Sequence, residues 1–158
     1  MNNPTINDQL IKESLSSAKT IAMVGISSVK KETASNVVRR PSIIVMNYLQ
    51  EFGYKVIPVN PFALGKKING EDVVEKLEDI NVPIDIVNVF RPSPEAVSIA
   101  KQTINIKPKA LWLQYGIQNE EAKSIVESEN IAYIANKCIK QEYQRLFLKV
   151  NPVFPALK

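Results

Sequence analysis

Histidine is absent from all 158 residues, and cysteine occurs once. No Ser-His or Cys-His catalytic pair, imidazole metal site or phosphohistidine can therefore be built from this chain. A single thiol leaves no internal disulfide and no cysteine zinc site, so nothing asks for an oxidising compartment and a cytoplasmic location is expected. Long apolar runs are missing too, and Met1-Asn2-Asn3-Pro4 has neither the basic start nor the apolar stretch of a secretory leader. The expectation is a soluble, untargeted protein. Glycine is scarce, with five in the chain, and no Gly-Lys-Ser or Gly-Lys-Thr follows a strand, which excludes a P-loop.

What is present is an apolar content of 45% in a chain long enough for one full core and hardly two. The formal charge of +4 points only weakly to an anionic partner. Short apolar runs alternate with helical patterns, the rhythm of a parallel sheet. The runs predict strands at Thr20 to Val24, Lys55 to Val59, Ile84 to Val89, Ala110 to Leu113 and Ile131 to Ala135. Helical spacing of apolar residues predicts helices at Ser42 to Phe52, Pro94 to Ile104 and Asn119 to Glu129, with Gly53 closing the first. A short helical crossover is expected at Val73 to Leu77 and a closing helix at Ile139 to Leu148. Thr5-x-x-Asp8 reads as a capping box opening an N-terminal helix. The expected organisation is a helix within 1–19, one domain over 20–148 and a tail over 149–158. In fold class this is α/β: a Rossmann-like, doubly wound sheet of about five parallel strands with helices on both faces.

Such a sheet binds ligands at the carboxyl ends of its strands. The first strand ends in Val24-Gly25-Ile-Ser27-Ser28, where a glycine lets a ligand approach the backbone and the following amides and hydroxyls can donate to anionic oxygens. The second and third glycines of a dinucleotide fingerprint are missing. Basic residues gather on the same side: Lys30, Lys31, Arg39 and Arg40 in the first loop, Lys66 and Lys67 after the second strand, Arg91 after the third. That convergence favours a polyanionic small molecule. The carboxylate that NAD enzymes place at the end of the second strand is replaced by Asn60-Pro61, which suits a phosphorylated ribose and leaves both NADP and coenzyme A open. No basic helix with groove-facing side chains stands out, so nucleic acid is not expected, nor is a membrane.

The succession Ile21-Ala-Met-Val-Gly25, Arg40-Pro-Ser42, Gly53-Tyr-Lys-Val-Ile-Pro-Val-Asn-Pro61, Asp85-Ile-Val-Asn-Val-Phe-Arg91, Ala110-Leu-Trp-Leu-Gln-Tyr-Gly116 and Lys137-Cys-Ile-Lys140 resembles the small bacterial CoA-binding proteins. These are single Rossmann-like domains similar to the CoA-binding domain of the succinyl-CoA synthetase alpha subunit. The resemblance runs from about Thr20 to Leu146. It implies coenzyme A or an acyl-CoA as ligand. Gly25, Ser27 and Ser28 would hold the pyrophosphate, aided by the helix start at Ser42 and the charge of Arg40. Asn60, Pro61 and Lys66 or Lys67 would lie by the adenosine and its 3′-phosphate, while Val89, Phe90 and Arg91 would form the wall against the adenine. Gln114 and Gly116 would border the pantetheine arm.

Tyr143 stands where that family usually has a histidine, and the loop from Gly25 to Arg40 is longer than in typical relatives. The synthetase's phosphorylated histidine belongs to a second domain that this chain does not contain, so its ligase reaction does not carry over. Asp85 precedes a strand, Glu120 and Glu121 open a helix, and Glu142 sits on the last helix, so no carboxylate pair or nucleophile and base is recognised and no catalytic residue is assigned. The expected function is noncatalytic binding, as carrier, sensor or interaction module, with a protein partner or a second copy as further company. The alternative is an NADP-dependent or CoA-utilising enzyme with unrecognised groups. Trp112 is expected in the core, and Cys138 either as a buried small hydrophobe or beside the thiol end of CoA.

Overall fold

The computed structural model describes residues 4–26 and 41–149. Five parallel strands form one sheet: β1 (Thr20–Val24), β2 (Lys55–Val59), β5 (Ile86–Val89), β6 (Ala110–Leu113) and β7 (Ala132–Ile134), in the order β2-β1-β5-β6-β7. A two-stranded hairpin, β3 (Lys67–Ile68) with β4 (Glu71–Asp72), stands apart from it. The sheet is parallel and doubly wound, as expected.

The strands are apolar on both sides because each face is covered, the buried Asn88 of β5 excepted, and the period of two divides the residues cleanly. Ile21, Met23, Val56, Ile86, Trp112 and Ile134 fill one core, with residues of helices α1 (Pro4–Ser17), α2 (Pro41–Glu51) and α5 (Ile139–Tyr143). Ala22, Ile57, Val59, Val87, Val89, Leu111 and Leu113 fill the other, with α3 (Ala96–Ile106) and α4 (Glu120–Glu127). Pro58 sits in β2 on the side turned away from β1, where its missing N–H removes no bond of the β1–β2 ladder. Among the described residues no helix is long and apolar enough to cross a membrane.

Gly53 closes α2 at φ +98°, with its amide donating to the Gln50 carbonyl and that of Tyr54 to the Leu49 carbonyl, a Schellman ending. Asp85 anchors the opposite end of the sheet from the crevice by accepting from the amides of Lys19 and Thr20, at 2.8 and 3.1 Å.

Three expectations are corrected. Val73 to Leu77 is no helix: the chain makes the β3–β4 hairpin, Val74 bridges to Val59 as a sixth parallel segment, and one 3₁₀ turn follows at Leu77–Asp79. Val73 and Leu77 are both buried, so their helical spacing reflects inward packing of an irregular path. Thr5 lies inside α1, which already includes Pro4, and Asp8 pairs with Arg145 at 2.8 Å rather than closing a box. The closing helix is α-helical only to Tyr143 and widens to a π-turn over Gln144–Leu148.

Candidate functional site

β1 and β5 are neighbours whose crossovers leave on opposite faces of the sheet, so a crevice opens between their carboxyl ends. Gly25 turns the chain there at φ +90°, its amide donating to the Val59 carbonyl at 3.0 Å. A Cβ at this position would lie 2.5 Å from Arg91 Cδ and 2.9 Å from Arg91 Cγ, so both the backbone angle and the space require glycine. Ile26 follows, fully buried, and Asn60 Nδ2 donates to its carbonyl at 2.8 Å. The Asn60 Oδ1 accepts from the Phe62 amide at 2.8 Å, capping the 3₁₀ turn Pro61–Ala63. Asn60 thus sews the ends of β1 and β2 together.

A cavity of about 310 Å³ opens beside this seam. Val24, Val59 and Ile99 give it apolar surface, while Glu75, Lys76, Arg91 and Glu95 bring charge. Phe62, a residue 91% exposed, also lines it. Arg91 donates twice to Glu95, from Nε at 3.0 Å and from Nη2 at 2.7 Å. The hydrogen bond to Arg91 holds the Glu95 carboxyl below its ordinary range, and Glu95 raises Arg91 in return.

Of the residues singled out in the sequence, the fold brings Gly25, Asn60, Pro61 and Arg91 to this one cavity. Ser27, Ser28 and Arg40, with Lys30, Lys31 and Arg39, lie outside the described residues. Residues 19–144 match the CoA binding domain family. The chain belongs to that family. It is 37% identical to an uncharacterised protein, YneT, of Bacillus subtilis over 89% of this chain and 95% of that one. A Thermus thermophilus protein known as cell-free ID.343 is 36% identical and superposes with a TM-score of 0.77, covering 93% of this chain and 100% of its own. A hypothetical protein from Pyrococcus horikoshii is 34% identical, with a TM-score of 0.77 over 88% of this chain and 91% of that one.

Other positions named from the sequence lie elsewhere in this CoA-binding domain. Lys67 Nζ pairs with Asp72 at 2.9 Å on the hairpin, and neither it nor Lys66 lines the cavity. Val89 is fully buried in the sheet and Phe90 packs against the core. Ser42 is buried in the first turn of α2. Gln114, buried at the end of β6, accepts from Asn88 Nδ2 at 3.1 Å and the Ile139 amide at 2.9 Å through one oxygen. Gly116 adopts φ +88°, and its amide donates to Asn136 Oδ1 at 2.7 Å. Trp112 is core, with Nε1 donating to the Lys137 carbonyl at 2.8 Å. Cys138 is half-buried just before α5 and packs on the same core. Glu142 is engaged by Arg145 at 2.7 Å.

Phe62, Lys76 and Glu95 are lining residues that sequence reasoning passed over, as are Ser98 and Gln102 of α3. A signal existed for two of them. Phe62 follows Asn60-Pro61 directly, and Glu95 stands four residues after Arg91, the spacing at which opposite charges meet on a helical turn.

Proposed function

We propose that this domain binds coenzyme A or an acyl-CoA across the carboxyl ends of β1, β2 and β5, without catalysing a reaction on it. The observation that carries the reading is the Gly25 turn lying directly under an arginine at the switch point of a CoA-binding-family sheet. The cavity suits the group: Arg91, packed over the Gly25 turn, and Lys76 supply cations beside the apolar surface of Val24, Val59 and Ile99. A volume of about 310 Å³ lies at the small end of ligand sites, enough for a nucleoside and short of a whole CoA. The adenosine end therefore goes in, with Phe62 against the base, and the pantetheine arm extends toward the end of β6, past Gln114 and Gly116.

The noncatalytic part of the reading rests on the residues at hand. Asn60 is engaged by Ile26 and Phe62, and among the described residues no nucleophile stands beside a base in the cavity. A role as carrier, sensor or interaction module follows. A thermal-shift panel with CoA, acetyl-CoA, NAD, NADP and ATP tests the ligand. CoA at 100 times its dissociation constant stabilises by about 2.7 kcal/mol, and a shift with NADP but none with CoA overturns the reading. Acetyl-CoA incubated with the protein is expected to remain intact by chromatography, and its turnover would replace the binding module by an enzyme.

A further inference from the structure

Glu95 occupies a hydrogen-bonding edge that an incoming phosphate would use. The Nε and Nη2 groups of Arg91 both donate to its carboxylate, while the methylenes of Arg91 lie over Gly25. A guanidinium binds a phosphate through two parallel N–H groups, and that edge is already filled. A phosphate taking the other edge would sit beside the Glu95 carboxylate. Among the described residues the ionisable cavity lining is Glu75, Lys76, Arg91 and Glu95, two carboxylates against two cations. An anion therefore gains most when a carboxylate leaves.

The Arg91–Glu95 pair is built to be exchanged. Its side chains are 42% and 47% exposed, so water competes for both and the bond between them is weak. Glu95 ends a single 3₁₀ turn, Ser93–Glu95, where its half-exposed side chain already borders solvent. A dianionic phosphate ester brings more charge to Arg91 than the carboxylate does. A hydroxyl or another uncharged group brings none and leaves the pair closed.

We propose that Glu95 is a specificity-determining residue, an internal carboxylate that a ligand phosphate must displace from Arg91. The cavity then admits nucleotides with a phosphate at this point and discriminates against ligands whose group there is uncharged. This rests on the coenzyme A reading above and adds to it a residue that touches the ligand's competitor site rather than the ligand.

The test is calorimetric titration of CoA and dephospho-CoA into the full chain and into the Glu95→Gln and Glu95→Ala variants. Both variants are expected to bind CoA about twofold to fivefold more tightly at low salt, with the advantage shrinking in about 0.5 M KCl. A gain for CoA alone assigns the 3′-phosphate to Arg91, and an equal gain for dephospho-CoA assigns the diphosphate; either outcome upholds the displacement. In the wild type, saturating CoA is also expected to move the Arg91 Nε–H resonance, identified by its loss in Arg91→Ala. Unchanged or weaker CoA binding by both folded variants overturns the proposal, as does an unmoved resonance. Failure of the wild type to bind CoA at all is a different result, which overturns the functional reading itself.

Discussion

Arg91 lies across Gly25 so closely that a single methyl group on the glycine would stand 2.5 Å from Arg91 Cδ. One residue's missing side chain is the floor for the other's methylenes. This couples the shape of the turn after β1 to the position of Arg91, two residues beyond the end of β5.

Replacing Gly25 by alanine is therefore expected to act twice. Forcing a non-glycine residue to φ +90° costs about 1–2 kcal/mol, and the clash displaces Arg91 in addition. Urea denaturation of Gly25→Ala and of Gly25→Ala with Arg91→Ala separates the two. The second substitution should return the steric part of the loss and leave the backbone part.

Asn60 works as a tie between two loops through both ends of its amide. Asn60→Ala should cost about 1–3 kcal/mol, and amide hydrogen exchange at Phe62 should accelerate because its acceptor is gone. Unchanged exchange there would show that the amide carries no such tie in solution.

The buried oxygen of Gln114 serves the Asn88 side chain and the first amide of α5 together. Gln114→Leu takes the acceptor from the Ile139 amide and leaves Asn88 Nδ2 only its long bond to the Trp112 carbonyl, at 3.4 Å, and should destabilise by about 2–4 kcal/mol. The Asn88 Oδ1 already lacks a partner, so Asn88 has little left to hold once Gln114 is removed. Adding Asn88→Leu is expected to recover part of the loss, read as a positive coupling in the double-mutant cycle.

The Tyr54 hydroxyl donates to the Leu15 carbonyl at 2.5 Å and joins β2's approach to α1. Burial pushes this phenol up to about 12 from an ordinary 10. A folded value above the unfolded one means the contribution is intact below pH 10 and is lost as pH rises through 12. Tyr54→Phe should lower stability by about 1 kcal/mol near neutrality and flatten this loss in alkali, as followed by denaturant unfolding across that window.

The sheet was legible because each of its strands is apolar on both faces and short, a pattern that few other environments produce; β6 and β2 match their apolar runs end to end. The hairpin was not, although Asn69-Gly70, at φ +51° and +84°, is the two-residue turn that joins such strands. The burial of Val73 and Leu77 four residues apart imitated a helical face and masked that turn. At the cavity, residues on strand ends could be placed from the sequence because the sheet fixes where strands stop, which is why Gly25, Asn60, Pro61 and Arg91 fall together. Lys76 could not, since only the irregular path after the hairpin carries it back to the cavity, while the hairpin pairs Lys67 with Asp72 elsewhere.

The bridge from Val74 to Val59 has a consequence for how this sheet meets other chains. Val74 donates its amide to the Pro58 carbonyl and accepts from the Asn60 amide, so the chain itself takes up the hydrogen-bonding positions along the β2 margin. The opposite margin, β7, is paired on one side only and is three residues long. Among the described residues, strand-by-strand pairing with another chain would thus have one direction in which to grow, and only three residues on which to begin.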